Sequence, residues 1–207
     1  GSSGYAYGGA IYNNGTITFN GETSFMDNSV IGSTSAMGGA ISNHGSNYGY
    51  DQMHAPITFR KDVTFGGNAA SFGSDIFNSN FASIIFEDDA TFTGNTGSSI
   101  TGGAIYNDKS DMVFAGKTVF TDYAAEYAGA VFNYNSGSIT FEEDATFTDN
   151  SVSSEGGAVY NEDSTIIFDG KTIFNNNTSS YLGGAIINYN GSVLFGENSV
   201  LSFNNNK

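Results

Sequence analysis

The chain has no cysteine, no tryptophan, one proline and only six basic residues in 207. Without cysteine there is no disulfide, no thiolate metal site and no cysteine nucleophile. Lys and Arg are scattered, so the chain lacks the basic cluster that displaces counterions from a nucleic acid. Against 21 Asp and Glu they leave a formal net charge of −15, which an anionic membrane surface would repel. No apolar run approaches the roughly 20 residues of a transmembrane helix, so no direct membrane insertion of this segment is expected. No signal peptide is visible. Phosphate-binding glycine loops and hydroxyl-nucleophile motifs are missing too, as is any sustained helical periodicity.

What is present is 28 glycines, 18 phenylalanines and 39% hydrophobic residues, enough apolar surface to build a core. These residues are periodic. Gly8-Gly9-Ala10-Ile11-Tyr12-Asn13 returns at Gly38–Asn43, Gly102–Asn107, Gly156–Asn161 and Gly183–Asn188. Degenerate copies stand at Gly73-Ser74-Asp75-Ile76-Phe77-Asn78 and Ala128-Gly129-Ala130-Val131-Phe132-Asn133. A second element follows each, as in Ile17-Thr18-Phe19, Ile57-Thr58-Phe59 and Ile139-Thr140-Phe141. A third carries Phe-x-x-Asn, at Phe25–Asn28, Phe65–Asn68, Phe92–Asn95, Phe147–Asn150, Phe174–Asn177 and Phe203–Asn206. In the fourth copy Phe120 is followed by Tyr123 instead. Fourteen of the 18 phenylalanines fall in two columns of this alignment, too regular for chance.

Each copy is thus three short runs rich in Ile, Val, Thr and Phe, bounded by Gly, Asn, Asp and Ser. Three strands per copy without helices predict an all-β, right-handed parallel β-helix of about seven three-strand coils, forming one domain over residues 1–207. Handedness here follows the general chirality of parallel crossovers. With rungs ~4.8 Å apart the rod is roughly 34 Å long. The aliphatic column Ile11, Ile41, Ile76, Ile105, Val131, Val159 and Ile186 should face the core with both phenylalanine columns. The asparagine closing each first element should form a rung-to-rung amide ladder.

Charge falls in columns as well. Glu22, Asp62, Asp89, Lys117, Asp144 and Lys171 precede the third strand, alternating in sign from Asp89 onward, and Arg60 should neighbour Glu87. Exposed pairs of this kind contribute only about 0–1 kcal/mol. Carboxylate clusters at Glu87-Asp88-Asp89, Glu142-Glu143-Asp144 and Glu162-Asp163 read as solvated turns. Weak calcium binding and glycan cleavage are the sharper alternatives. No catalytic residue, cofactor or metal site is expected.

Two places could meet a partner. The column Tyr12, Ser42, Phe77, Tyr106, Phe132, Tyr160 and Ile187 alternates with the core aliphatics and should point outward, as an exposed aromatic stripe. The second copy also carries about seven to ten extra residues, an inserted loop over 44–56 that holds both histidines and the only proline. His44, Tyr48, Tyr50, Asp51 and His54 make it the candidate binding loop. A His–Asp–His metal site is the lesser alternative there.

Gly-Gly-Ala-Ile/Leu/Val alternating with Phe-x-x-Asn resembles the paired signature of the polymorphic outer membrane proteins of chlamydiae and related autotransporter passengers. The resemblance spans essentially the whole chain, though chlamydial members commonly contain cysteine. It implies an extracellular passenger on a Gram-negative surface, excised from a longer chain, that acts as an adhesin or in surface display. The implied partner is a host-cell surface protein or glycan. In that family both tetrapeptides are tied to adhesion. Matching positions here include Gly8, Gly9, Ala10, Ile11, Phe25, Asn28, Gly102, Gly103, Ala104, Ile105, Phe147 and Asn150. The motifs can equally be structural, leaving adhesion to loops. A carbohydrate-active β-helix enzyme and a purely structural stalk are the competing functions. Open rungs at the solenoid ends would also allow self-association.

Overall fold

The computed structural model describes residues 4–30, 35–48, 51–94, 99–197 and 199–207. It is a parallel β-solenoid of about seven turns, with no helix among the described residues. Three seven-stranded parallel sheets form its faces. The first contains the strands Ile11–Asn13, Ile41–His44, Ile76–Ser79, Ile105–Asp108, Val131–Tyr134, Val159–Glu162 and Ile186–Tyr189. The second runs from Ile17–Phe19 to Ser192–Phe195, and the third from Thr23–Met26 to Leu201–Asn204. Register is uniform: Ile76 pairs with Ile41 and Ile105, Phe86 with Phe59 and Phe114, and Phe92 with Phe65 and Phe120.

A fourth, partial side was not anticipated from the three-run repeat. Ser99–Thr101, Ala124–Tyr127, Ser151–Val152 and Thr178–Ser179 pair in parallel between the third and first faces. These strands are as short as two residues and carry no alternating apolar pattern, so periodicity does not reveal them.

The core is two columns of stacked rings. On the second face, Phe19, Phe59, Phe86, Phe114, Phe141, Phe168 and Phe195 stack with centroids 4.5–5.4 Å apart. On the third, Phe25, Phe65, Phe92, Phe120, Phe147, Phe174 and Phe203 stack at 4.6–5.0 Å. The columns meet edge to face, as in Phe114–Phe120 at 6.3 Å and 76°. Both geometries are favourable for aromatic quadrupoles, adding about 0.5–1.5 kcal/mol per pair beyond burial. The aliphatic column of the first face closes the triangle.

The asparagine ladder forms as the repeat predicts. Side-chain amides bond Asn13 to Asn43 (2.7 Å), Asn43 to Asn78, Asn78 to Asn107, Asn107 to Asn133 and Asn133 to Asn161 (each 2.9 Å), and Asn161 to Asn188 (2.7 Å). Most of these amides also donate to a corner carbonyl, as Asn107 does to Ser110 at 2.7 Å. The Phe-x-x-Asn residues build a second ladder, Asn28–Asn68 at 2.9 Å and Asn150–Asn177–Asn206 at 2.9 and 3.0 Å. No buried side-chain nitrogen or oxygen among the described residues lacks a partner.

The glycine pair has two separate jobs. Gly102 turns the chain with φ of 65°, a left-handed conformation that glycine adopts without steric cost. Gly103 faces the next rung so closely that a Cβ would run into the Gly129 carbonyl. In the degenerate third copy Ser74 holds the second position, and its hydroxyl donates to the Gly103 carbonyl.

The other two departures from the repeat answer each other. Asp75 stands where intact copies have alanine, and Tyr123 stands where the second ladder has asparagine. Both are buried, and the Tyr123 hydroxyl donates to Asp75 Oδ2. Asn68 Nδ2 donates to Asp75 Oδ1 at 2.7 Å. The Tyr123 backbone N–H still donates to Asn150 Oδ1 at 3.2 Å, as a ladder residue would. Among the described residues the interior thus holds one carboxyl, made tolerable by two donors.

The charge column behaves differently from expectation. The ion pairs among the described residues are Arg60–Glu87 at 4.0 Å, as expected, and Lys61–Asp88 at 3.9 Å, which was not. Asp89 and Asp144 instead accept the backbone N–H groups of Lys117 and Lys171, at 2.9 and 3.2 Å. A carboxylate beside a turn is nearer to the next rung's amide than to the end of a long solvated lysine.

Two outcomes follow from this packing. Gly103→Ala overpacks a backbone contact and should lower stability by about 1–3 kcal/mol, read as the midpoint of urea unfolding. Burial pushes the Asp75 carboxyl from 3.8 up to about 7, against the opposing pull of Tyr123 and Asn68. The folded chain therefore holds that proton more tightly than the unfolded one. The contribution is complete below pH 3.8 and is lost as pH rises toward about 7. Urea midpoints at pH 4.5 and 7.5 should show the parent losing stability relative to Asp75→Asn; parallel midpoints would refute it.

Candidate binding site at a solenoid corner

The inserted residues form a β-hairpin rather than an irregular loop. Ser46–Tyr48 pairs antiparallel with Asp51–Met53, with Ser46 opposite Met53 and Tyr48 opposite Asp51. Tyr50, one of the candidate binding residues, lies outside the described residues. Proline resumes the solenoid at the first position of strand Pro56–Phe59, where a missing N–H is tolerated. Ala55 is held below it by Asn43, whose amide donates to the Ala55 carbonyl at 3.0 Å.

The two histidines separate. His44 points back onto the first face. Its ring nitrogens lie 2.8 Å from Ser42 Oγ and 2.9 Å from Ser79 Oγ. Its ring packs 5.2 Å from Tyr12 and 5.5 Å from Phe77. Ser42 is the one small residue in the aromatic column. His44, two positions along the same strand and on the same side, fills the space that Ser42 leaves. Burial lowers its pKa, which favours the neutral ring. His44 therefore belongs to the packing, not to a binding loop. Among the described residues no cluster of His, Asp and Glu is placed to hold a metal.

The outward aromatic stripe is corrected in the same way. Phe77, Phe132, Tyr160 and Ile187 are only 7–9% exposed. They do point away from the main core, as alternation requires. Phe132, Tyr160 and Ile187 belong to a second apolar cluster, in which Ala128 and Tyr127 arrive from the fourth side and Tyr134 and Tyr189 flank from the same face, while Phe77 packs between His44 and Tyr106. Phe72 packs across Tyr106 at 5.6 Å. Only Tyr12, in the first rung, stays open at 54%. The stripe is an internal seam and not a partner surface.

The repeat motifs sit inside as well. Gly102, Gly103, Ala104, Ile105, Phe147 and Asn150 are all buried, and so is Phe25. Gly8, Ile11 and Asn28 are half-buried, and Gly9 and Ala10 are exposed because they belong to the first rung. In the interior rungs these side chains build the scaffold.

His54, in contrast, lines a cavity of about 360 Å³ at the foot of the hairpin, with Phe81, Lys109, Asp111, Asn135 and Ser136. These residues come from the corner between the first and second faces in four successive rungs. Phe81 is half-buried and adopts φ of 65°, which is rare for a bulky residue. It occupies an extra position: Asn78 to Ile84 spans six residues, whereas Asn107 to Met112 spans five. The fifth copy has the same extra residue, where Asn135 and Ser136 are both left-handed at 59° and 70°. Asn135 Nδ2 donates to Asp108 Oδ1 at 3.2 Å, orienting the amide at the pocket edge. Sequence reading found His54 but missed the other five residues. The uneven spacing after Asn78 and Asn133 was the available signal.

A parallel β-solenoid with phenylalanine columns, asparagine ladders and glycine corners defines the class of this chain. The family model for the Chlamydia polymorphic membrane protein repeat matches residues 89–108, 144–162 and 171–189. Each stretch runs from the third-face strand of one turn to the first-face strand of the next, so the matched unit spans Phe-x-x-Asn and the following glycine motif. Three of its turns are thus similar to the repeat of the Chlamydia polymorphic membrane proteins, and the chain is consistent with a repeat protein of that type. No curated protein and no solved structure matches it.

The filling role of His44 has a measurable consequence. His44→Ala should leave a gap between Tyr12 and Phe77 and cost about 1–3 kcal/mol in urea unfolding. If His44 served a ligand instead, its removal would leave stability unchanged.

Proposed function

We propose that this chain is a passenger segment of a bacterial surface protein, that it adheres to host cells without catalysing a reaction, and that contact is made at the hairpin corner. The observation that carries this reading is the convergence of the one large insertion with the cavity at its foot. Elsewhere the rungs repeat, and their characteristic residues are buried. The family match to surface proteins supports an extracellular location. A non-catalytic role is supported by the corner carboxylates, because Glu87 and Asp88 face Arg60 and Lys61 across neighbouring rungs.

The test is binding of the labelled chain to cultured animal cells, beside a variant with residues 46–53 replaced by a two-residue turn. Saturable binding by the parent, reduced at least tenfold in the variant, is the expected result. Equal binding by both would move the contact away from the hairpin. A folded parent that binds no cells would make the segment a stalk.

A further inference from the structure

We propose that the corner groove is a binding site for an uncharged oligosaccharide, with one sugar ring seated on Phe81. This rests on the adhesin reading and assigns its ligand class. The cavity beneath the hairpin continues through Ser136 into a second hollow of about 450 Å³, lined by Ser138, Asp163, Thr165 and Ser192 among others. The two form a trough along the rod axis, because successive rungs contribute the same corner. Asp111, Ser138, Thr165 and Ser192 stand in register on one wall. A polymer of similar polar units suits such a wall, since each rung, ~4.8 Å from the next, repeats a similar set of donors and acceptors.

The chemistry of the pocket fits a sugar. Phe81 lies outside both phenylalanine columns and outside the second apolar cluster, so it builds neither core. It is nevertheless kept in a left-handed conformation, with its N–H bonded to the Lys109 carbonyl at 2.8 Å. A half-buried aromatic ring offers a surface for the apolar face of a pyranose. Asp111, Asn135, Lys109 and His54 around it supply acceptors and donors for hydroxyls. Backbone N–H groups at this corner are already paired between rungs, as Asn135 is to Glu162 and Ser136 to Asp163. Among the described residues, the solenoid rungs at this corner therefore offer a peptide no free strand edge. Charge selects among glycans. Lys109 is offset by Asp111 and by the adjacent Asp108, Asp163 follows in the trough, and the chain as a whole carries −15. Sulfated and sialylated chains are disfavoured.

The experiment is an array of immobilised neutral, sialylated and sulfated oligosaccharides, probed with the purified chain. Phe81→Asn, which keeps a residue tolerant of left-handed backbone, and Asp111→Ala test the groove. Glu142→Ala, on an exposed turn away from the groove, is the control, and urea midpoints establish that all are folded. Retention on uncharged glycans, at least tenfold weaker for both groove variants and unchanged for the control, is expected. No retention on uncharged glycans, equal retention by the groove variants, or preference for the anionic ones would overturn the inference. Cell binding separates the two readings. If cells stripped of surface glycans bind the parent as well as untreated cells do, the sugar site fails and the adhesin stands. If the parent binds glycans on the array but no cells, the adhesin reading fails and the site stands.

Discussion

Each side chain on the three faces must lie well against the equivalent position one rung above and one below, and most often that is a residue of its own kind. That constraint follows from parallel, in-register pairing at a spacing of ~4.8 Å. It admits residues that attract themselves. Phenylalanine stacks, asparagine donates to one copy of itself while accepting from another, and isoleucine packs on isoleucine. It disfavours charge, because like charges directly opposite repel. The unusual composition is the result: only 13% of residues are charged, and phenylalanine supplies most of the aromatic content. Glycine belongs to the same logic, since corners of adjacent turns press backbone against backbone.

This constraint also decided what could be read in advance. Columns that repeat in space repeat in sequence, so the three faces, both phenylalanine stacks and the asparagine ladder were legible from spacing. Alternation correctly sent Phe77, Phe132 and Tyr160 away from the main core. It could not show that a fourth run of chain would cover Phe132 and Tyr160, because strands such as Ser151–Val152 are too short to carry a pattern. His44 was grouped with the hairpin by adjacency. Its role emerges only when Ser42 is placed in the aromatic column and the resulting gap becomes visible. The pocket was written as a one-residue difference in spacing, a weak mark beside an insertion of about seven to ten residues.

The imperfect copies are informative because their departures are coupled. An aspartate in place of alanine would strand a carboxyl in the interior. The chain answers with a tyrosine 48 residues later in place of a ladder asparagine. A serine in the aromatic column is answered by a histidine two positions on, and a serine in a glycine corner by the next rung's carbonyl. In a solenoid each rung is packed against its neighbours, so a local substitution becomes a demand on the adjacent turns. Tolerated irregularity therefore comes as contacts between rungs, which consensus matching of single repeats does not detect.

The same reasoning bears on the proposed function. Interior columns are fixed by stacking and have little freedom to vary, so the glycine and Phe-x-x-Asn motifs are bound to the fold. A substitution such as Phe147→Ala would open the core, and any loss of adhesion it caused would report damage to the rod. Corners carry no such requirement. They accept an extra residue after Asn78 and Asn133, and a whole hairpin after His44, while the ladder beneath stays continuous from Asn13 to Asn188. Recognition can change at the corner between the first and second faces without disturbing what holds the turns together. That separation is why the motif that identifies the repeat and the surface that meets a partner need not be the same residues.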